Sequence, residues 1–336
     1  MRIAVDAMGG DKAPEAVVKG AEIGVQMNDV DVILVGDEHR IRGLLNPASL
    51  KSGRITIHHA AEVVGMGEHA SAIRTKRDAS VVVCANLVKD GTADAMVSAG
   101  NTAAAMGIAT LKFSRIEGID RPAIATVFPG KSGPTVVLDA GAVADCSVDN
   151  MVQFAVMGSS YATKALGIIN PRVGLLSIGE EKSKGNELTR QTNAELEILP
   201  INFIGNVEGN HLLAGVCDVI VADGFTGNVV LKVAEGMWEH LQELITNELR
   251  SHPLAYIPVA MLKPLLKRLR KQMDYSEYGG APLLGLNGIC IIGHGRSNPQ
   301  AIANAIRTAG EAVAGDLVGT IRTSMSEIGP LTAVAE

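Results

Sequence analysis

The chain has 336 residues, 47% of them hydrophobic, and a formal net charge of −6, which is ample for a sizeable core and excludes a basic nucleic-acid-binding class. Aromatics make up only 3% while glycine reaches 37 residues, a balance that favours Ala, Val, Ile and Leu packed between helices and a sheet. The cysteines Cys84, Cys146, Cys217 and Cys290 have no C-x-x-C spacing, which fits a reduced cytosolic setting and not structural zinc. No uncharged run approaches the roughly 20 apolar residues needed to span a bilayer, and a strand in the first residues leaves no signal peptide expected.

Strands are predicted over 2–6, 31–36, 54–58, 94–98, 123–127, 135–139, 172–178, 201–204, 217–222 and 288–292. Helices are predicted over 14–28, 69–90, 101–112, 149–166, 186–197, 226–250 and 298–318. This alternation reads as βαβ units in a three-layer α/β fold with a mostly parallel sheet. Residues 1–325 form one catalytic unit and 326–336 a frayed tail. In such sheets ligands sit outside the carboxyl ends of the strands.

The strand-end loops carry the chemistry. Asp6 and Asp11 bracket Gly9 and Gly10, and Lys12 adds a cation just before Pro14 opens a helix. Glycine N–H groups and an ammonium there suit an anion such as phosphate, although Asp11 is equally suited to capping the helix. Gly100-Asn101-Thr102 opens a second helix in the same fashion, with Asn101 able to cap or to orient a carbonyl or phosphate. Asp139 ends an apolar strand, where a buried carboxylate must meet donors or a ligand. The loop Gly179–Glu187, with Lys184 and Asn186, is polar enough to close over a substrate or to be a solvated turn. Asp223-Gly224-Phe225-Thr226-Gly227-Asn228 is dense in polar and flexible residues, and a functional role outweighs a structural one there. His294, the one histidine in a strand-end glycine loop, is either a catalytic acid or a turn residue.

Residues 251–285 break the alternation. Pro253, Pro258 and Pro264 interrupt them, and Leu262, Leu265, Leu266, Leu269 and Met273 recur at helical spacing opposite Lys263, Lys267, Arg270 and Lys271. With Arg250 and Arg268 the stretch from Leu249 to Met273 holds six cations and no acid. Such an amphipathic basic insertion covers a core or dimer interface, lies on a membrane surface or docks an acidic carrier.

Two matches are set aside. Phe128-Pro129-Gly130-Lys131-Ser132 has Ala125 where a P-loop needs its first glycine, and Gly65-Met66-Gly67-Glu68-His69-Ala70 is a lone dinucleotide-type match with no acidic strand end following it. No serine elbow or H-E-x-x-H is present, and His58-His59 lacks nearby carboxylates. No metal and no cofactor is expected.

Taken together, Ala4–Asp11, Ser98–Ala103, Gly179-Glu180-Glu181 with Lys184–Glu187, Gly205–Gly209, Ala222–Asn228 and Glu277–Asn287 resemble the bacterial acyl-acyl carrier protein:phosphate acyltransferases, the PlsX family. The resemblance implies an isopropylmalate-dehydrogenase-like or phosphotransacetylase-like scaffold, with the basic stretch as a helical insertion. It implies transfer of a long-chain acyl group from the carrier thioester to inorganic phosphate, giving acyl phosphate for phospholipid synthesis. Asp6, Asn101, Asp139, Asp223, Asn228 and His294 are then the catalytic candidates, with Asn101 or Asn228 at the oxyanion and His294 or Lys184 beside the leaving thiolate. Gly9, Gly10, Asp11, Lys12, Gly100, Thr102, Lys184, Asn186 and Thr226 are the substrate-binding candidates. Leu262, Lys263, Leu266, Lys267, Arg268, Arg270 and Lys271 would meet carrier protein or membrane, with membrane contact primary. The implied protein is a cytoplasmic, peripherally membrane-associated homodimer whose partners include acyl carrier protein and the membrane glycerol-3-phosphate acyltransferase that uses acyl phosphate, but not nucleic acid. An acyl-coenzyme A-dependent phosphate acyltransferase is the alternative; a nicotinamide-dependent dehydrogenase, which would need clustered metal-binding aspartates, and a non-catalytic membrane scaffold fit less well.

Overall fold

The computed structural model describes residues 1–251 and 279–328. Its larger sheet contains β1 (Arg2–Asp6), β2 (Asp31–Gly36), β3 (Ile55–His59), β4 (Ala95–Ser98), β5 (Ala123–Ile124), β11 (Ala281–Leu284) and β12 (Ile289–Ile292), in the order β3-β2-β1-β4-β12-β11-β5. Only β11 in this sheet runs against its neighbours. The smaller sheet contains β6 (Thr126–Gly130), β7 (Gly133–Leu138), β8 (Val173–Leu176), β9 (Phe203–Val207) and β10 (Val219–Val221), in the order β6-β7-β10-β8-β9 with β6 antiparallel. β1, β2, β4, β10 and β12 are apolar and almost wholly buried, as parallel strands covered on both faces must be.

The mostly parallel α/β architecture is therefore divided between two sheets. The division falls inside the strand predicted over 123–127: Ile124 pairs in the larger sheet, Thr126 in the smaller, and Ala125 carries the chain across. One apolar core nevertheless spans both, with Val5, Leu34 and Val97 from the larger sheet and Leu138, Leu175 and Val219 from the smaller. Helix α6 (Val148–Leu166) supplies Phe154, Met157 and Tyr161 to it.

Several predicted elements change bounds for local reasons. The helix expected over 69–90 is a 3-10 turn at Ala70–Arg74 followed by α4 (Ser80–Lys89). Between them Asp78 accepts from Ala61 N–H at 2.7 Å and Lys76 donates to the Val63 carbonyl at 2.8 Å, tying the chain to its neighbour and stopping the helix. Two short helices after β2, α2 (Glu38–Leu44) and α3 (Pro47–Lys51), were not expected; each has a side-chain cap, Asp37 and Asn46. The helix expected over 298–318 breaks at Gly315 into α9 (Pro299–Ala314) and α10 (Leu317–Ile328), so helix continues past Ser326. β11 was missed because it is four residues long and contains Pro282. The P-loop-like stretch Phe128–Ser132 is the turn of the β6–β7 hairpin.

The basic insertion predicted over 251–285 lies mostly outside the described residues, and with it Leu262, Lys263, Leu266, Lys267, Arg268, Arg270 and Lys271. Among the described residues no helix is long and apolar enough to cross a membrane.

Candidate active site

Both sheets turn carboxyl strand ends toward one cleft of about 420 Å³. Asp11 enters it from beyond β1, Thr102 from the start of α5 (Thr102–Phe113), and Met66 from the loop before α4. His294, Gly295 and Ser297 follow β12, and Ala140 and Gly141 follow β7. The first three turns of α8 (Gly224–Ser251) complete the wall with Asn228, Leu231, Lys232 and Glu235, a spacing of three and four that puts them on one helical face. Ile124, Val127, Ala281 and Ile292 give the cleft an apolar side.

The opening glycine turn is built around Asp6. Its buried carboxylate accepts from Ser80 Oγ at 2.6 Å and Ser98 Oγ at 2.7 Å, and from the N–H groups of Met8 and Gly9. Burial raises its pKa above the ordinary 3.8, against the pull of those donors. A Cβ on Gly9 would strike this carboxylate and come within 2.9 Å of Gly100 Cα, so both glycines are there for close backbone approach. Gly10 is at φ +112° with no room beside the carbonyls of Ala99 and Gly295. Asp11 N–H donates to the Gly295 carbonyl at 2.8 Å. Pro14, not Asp11, occupies the N-cap of α1 (Glu15–Met27), without a side-chain cap, which leaves the Asp11 carboxylate to the cleft. Lys12 is exposed and does not line the cleft.

Asn101 uses its whole side chain on the fold. Its Oδ1 caps α5 by accepting from Ala104 N–H at 3.0 Å, and its Nδ2 donates to the carbonyls of Gly65, Met66 and Glu68, the last at 2.8 Å. The lone glycine motif at 65–67 is thus a loop pinned over the cleft by Asn101.

Asp139 plays the same part in the smaller sheet. Fully buried, it accepts from the N–H groups of Ile124, Gly141, Ala142 and Val143 at 2.7–3.2 Å. Burial pushes its carboxyl up while these donors pull it down, with burial the larger effect. Asp223 accepts from both the N–H and the hydroxyl of Thr226, at 2.8 and 2.7 Å, and so fixes the first turn of α8. A Cβ on Gly227 would collide with the Asp139 carbonyl oxygen, so glycine there lets α8 start against that loop. Asn228 follows at the cleft, its Nδ2 making a long 3.3 Å bond to the Ala140 carbonyl.

The structure therefore gathers Asp11, Thr102, Asn228 and His294 at the cleft and places Asp6, Gly9, Gly10, Gly100, Asn101, Asp139, Asp223 and Thr226 in the loops that shape it. Lys184 and Asn186 are exposed beyond β8, and neither lines the cleft; Asn186 caps α7 (Glu187–Glu197) by accepting from Thr189 N–H at 2.9 Å. His294 is exposed, with Nδ1 accepting from Arg296 N–H at 3.1 Å. Sequence reasoning missed Lys232 and Glu235, although their spacing from Asn228 was the available signal. The cysteines carry no thiolate: burial pushes Cys217 and Cys290 to about 12 and Cys146 to about 11.

Two mostly parallel sheets with a cleft at their joined carboxyl ends define a phosphotransacetylase-like α/β protein. A phosphotransacetylase from Streptococcus pyogenes superposes with a TM-score of 0.64 at 19% identity, covering 94% of each chain. The EutD phosphotransacetylase from Staphylococcus aureus gives 0.59 at 16% identity, covering 93% of this chain and 94% of that one. The chain belongs to the family described as "Fatty acid synthesis protein", whose model matches residues 1–319, in accord with the resemblance to the PlsX family. A relative from Desulfitobacterium hafniense (strain DSM 10664 / DCB-2), named phosphate acyltransferase, is 51% identical over 327 residues, 97% of this chain and 98% of the relative. Another of that name from Geobacter sulfurreducens is 48% identical over 314 residues, 93% of this chain and 91% of the relative.

Proposed function

We propose that the protein transfers a long-chain acyl group from an acyl carrier protein thioester to inorganic phosphate, forming acyl phosphate for phosphatidic acid and phospholipid synthesis. The observation that carries this reading is the cleft, which sets an apolar side, Ile124, Val127, Leu231 and Ile292, against a polar rim of Asp11, Thr102, Asn228 and His294. An acyl chain fits the first and a phosphate meeting a thioester carbonyl fits the second. Relatives named phosphate acyltransferase at about half identity support the same chemistry.

A phosphate oxygen attacks the thioester carbonyl carbon, and the C–O bond forms as the carbonyl electrons move onto oxygen. Collapse of this tetrahedral intermediate breaks the C–S bond and releases a thiolate, which takes up a proton from His294 or water. Phosphate is already a good nucleophile near neutral pH, so the protein's work is positioning and charge stabilisation. Asn228 Nδ2, which makes only a long bond to the Ala140 carbonyl, donates to the oxyanion in this reading. Thr102, at the positive end of α5, helps orient phosphate.

Three further assignments go with this reading. Phe225, Val229, Val233, Met237, Leu241, Leu244 and Ile245 form an exposed apolar stripe on α8, which supports a homodimer through a second copy of this helix. The basic stretch around Lys263–Lys271 is assigned to anionic lipid first and to acidic carrier protein second, through its charge. Peripheral attachment in the cytoplasm would hand acyl phosphate to the membrane glycerol-3-phosphate acyltransferase.

The test is to mix the protein with phosphate and either acyl-acyl carrier protein or acyl-coenzyme A, and to trap acyl phosphate with hydroxylamine. Hydroxamate from the carrier thioester is expected. Product from coenzyme A thioester alone would replace the donor, and no product from folded protein with either donor would overturn the function.

A further inference from the structure

The cleft needs a cation for an anionic nucleophile, and the strand-end turns do not supply one. The N–H groups of Gly9 and Asp11 go to Asp6 and to the Gly295 carbonyl. Those of Gly141, Ala142 and Val143 go to Asp139, that of Thr226 to Asp223 and that of Ala104 to Asn101. Asp11 and Glu235 meanwhile bring two carboxylates to the lining, which would repel a phosphate dianion. Among the described residues that line the cleft, Lys232 is the one lysine or arginine.

Its setting is asymmetric. Lys232 Nζ lies 2.8 Å from Glu235 Oε2, with the lysine side chain 54% exposed and the glutamate 14%. The carboxylate is drawn into the wall one helical turn along α8, while the amine stands at the cleft surface. An ammonium has three N–H donors. One donor satisfies Glu235, and two remain for an incoming oxyanion, so the anion binds without stripping the withdrawn carboxylate of its partner.

Resting on the phosphate acyltransferase reading, we infer that Lys232 is the residue that binds the attacking inorganic phosphate, and that Glu235 is a positioning residue that holds its ammonium at the cleft. Selection of phosphate as acceptor is then set by the third turn of α8, and the glycine turn after β1 acts only by shaping the wall opposite.

Steady-state kinetics with acyl-acyl carrier protein thioester and varied inorganic phosphate test this, with wild type run alongside. Lys232→Gln is expected to raise KM for phosphate about tenfold or more, the loss of a charge-assisted hydrogen bond, while KM for the acyl donor stays within about twofold. Lys232→Arg, which keeps the charge, should recover most of that loss. Glu235→Gln should raise phosphate KM less, about threefold, because the ammonium remains but is no longer held. If Lys232→Gln is too slow to assay, calorimetric titration with inorganic phosphate decides: binding seen in wild type should be lost in the variant. An unchanged phosphate KM, a change confined to the acyl donor, or retained phosphate binding would overturn the inference while leaving the acyltransferase reading intact. Absence of acyl phosphate from wild type would overturn that reading instead.

Discussion

The two walls of the cleft use their polar groups in opposite ways. On the larger sheet the strand-end groups Asp6 and Asn101 turn their side chains into the protein, toward two serine hydroxyls and three loop carbonyls, and the cleft beside them is reached instead by Asp11, Met66, Thr102 and His294. On α8 the polar side chains Asn228 and Lys232 face outward into the cleft, with only one 3.3 Å bond from the first and one ion pair from the second. Residues that hold a turn and residues proposed to hold a ligand are equally polar and equally close to a strand end. Their partners separate them: a side chain whose hydrogen-bonding capacity is filled by the fold has little left for a substrate.

Substitutions can break this contrast, beginning with the most saturated carboxylate. Asp139→Ala would leave the N–H groups of Ile124, Gly141, Ala142 and Val143 without their acceptor at the join of the two sheets, and about 4 kcal/mol or more of stability should be lost in urea unfolding. A loss below about 1 kcal/mol would mean that water replaces the carboxylate and that Asp139 is free for other work. Gly9→Ala should follow at about 1–3 kcal/mol, since its Cβ meets the Asp6 carboxylate and the Gly100 backbone at once. Here the melting temperature should fall before any change in KM for phosphate is detectable.

The pair Asn101→Ala and Asn228→Ala sharpens the contrast, because both residues are asparagines at the start of a helix. Loss of the α5 cap and of the tie to the 65–68 loop should cost about 1–2 kcal/mol for Asn101. For Asn228 the stability cost should be under about 1 kcal/mol, while turnover falls about a hundredfold as an oxyanion donor is lost. Reversal of that pattern, with turnover lost at Asn101 and stability at Asn228, would exchange their roles.

Much of this was legible in the sequence. The strand–turn–helix grammar at Asp6–Pro14, Ser98–Thr102 and Ala222–Asn228 placed the cleft, because apolar runs ending in Gly, Asp and Asn mark parallel strand ends whatever the loops then do. The partners of each polar group were not legible, since Ser80 lies 74 residues from Asp6 and Ile124 lies 15 from Asp139. Lys232 escaped notice for a different reason: two turns inside a helix, it reads as an ordinary solvated lysine until the tertiary fold puts that face on the cleft it shares with the end of β12 and its loop. The crossing at Ala125 was hidden because 123–127 is one continuous strand-like run, and period alone cannot say that its two ends pair in different sheets.

The smallest expected effect lies at Asp6, and it is a slope, not a loss. Burial holds the Asp6 carboxyl above 3.8 in the folded protein, so folding favours its protonated form. The stability this group contributes is present below the unfolded pKa and declines as pH rises through the folded value. Asp6→Asn cannot ionise and keeps an acceptor for the hydroxyls, so it should escape that decline. Compared by urea unfolding from about pH 4 to pH 7, any deficit of the variant against wild type should shrink as pH rises. A deficit that grows with pH would show the opposite balance, in which Ser80, Ser98 and the glycine-turn N–H groups stabilise the anion more than burial penalises it. The turn after β1 would then be organised around a charge, and the wall opposite Lys232 would carry a buried negative potential that the lysine must offset along with that of Asp11 and Glu235.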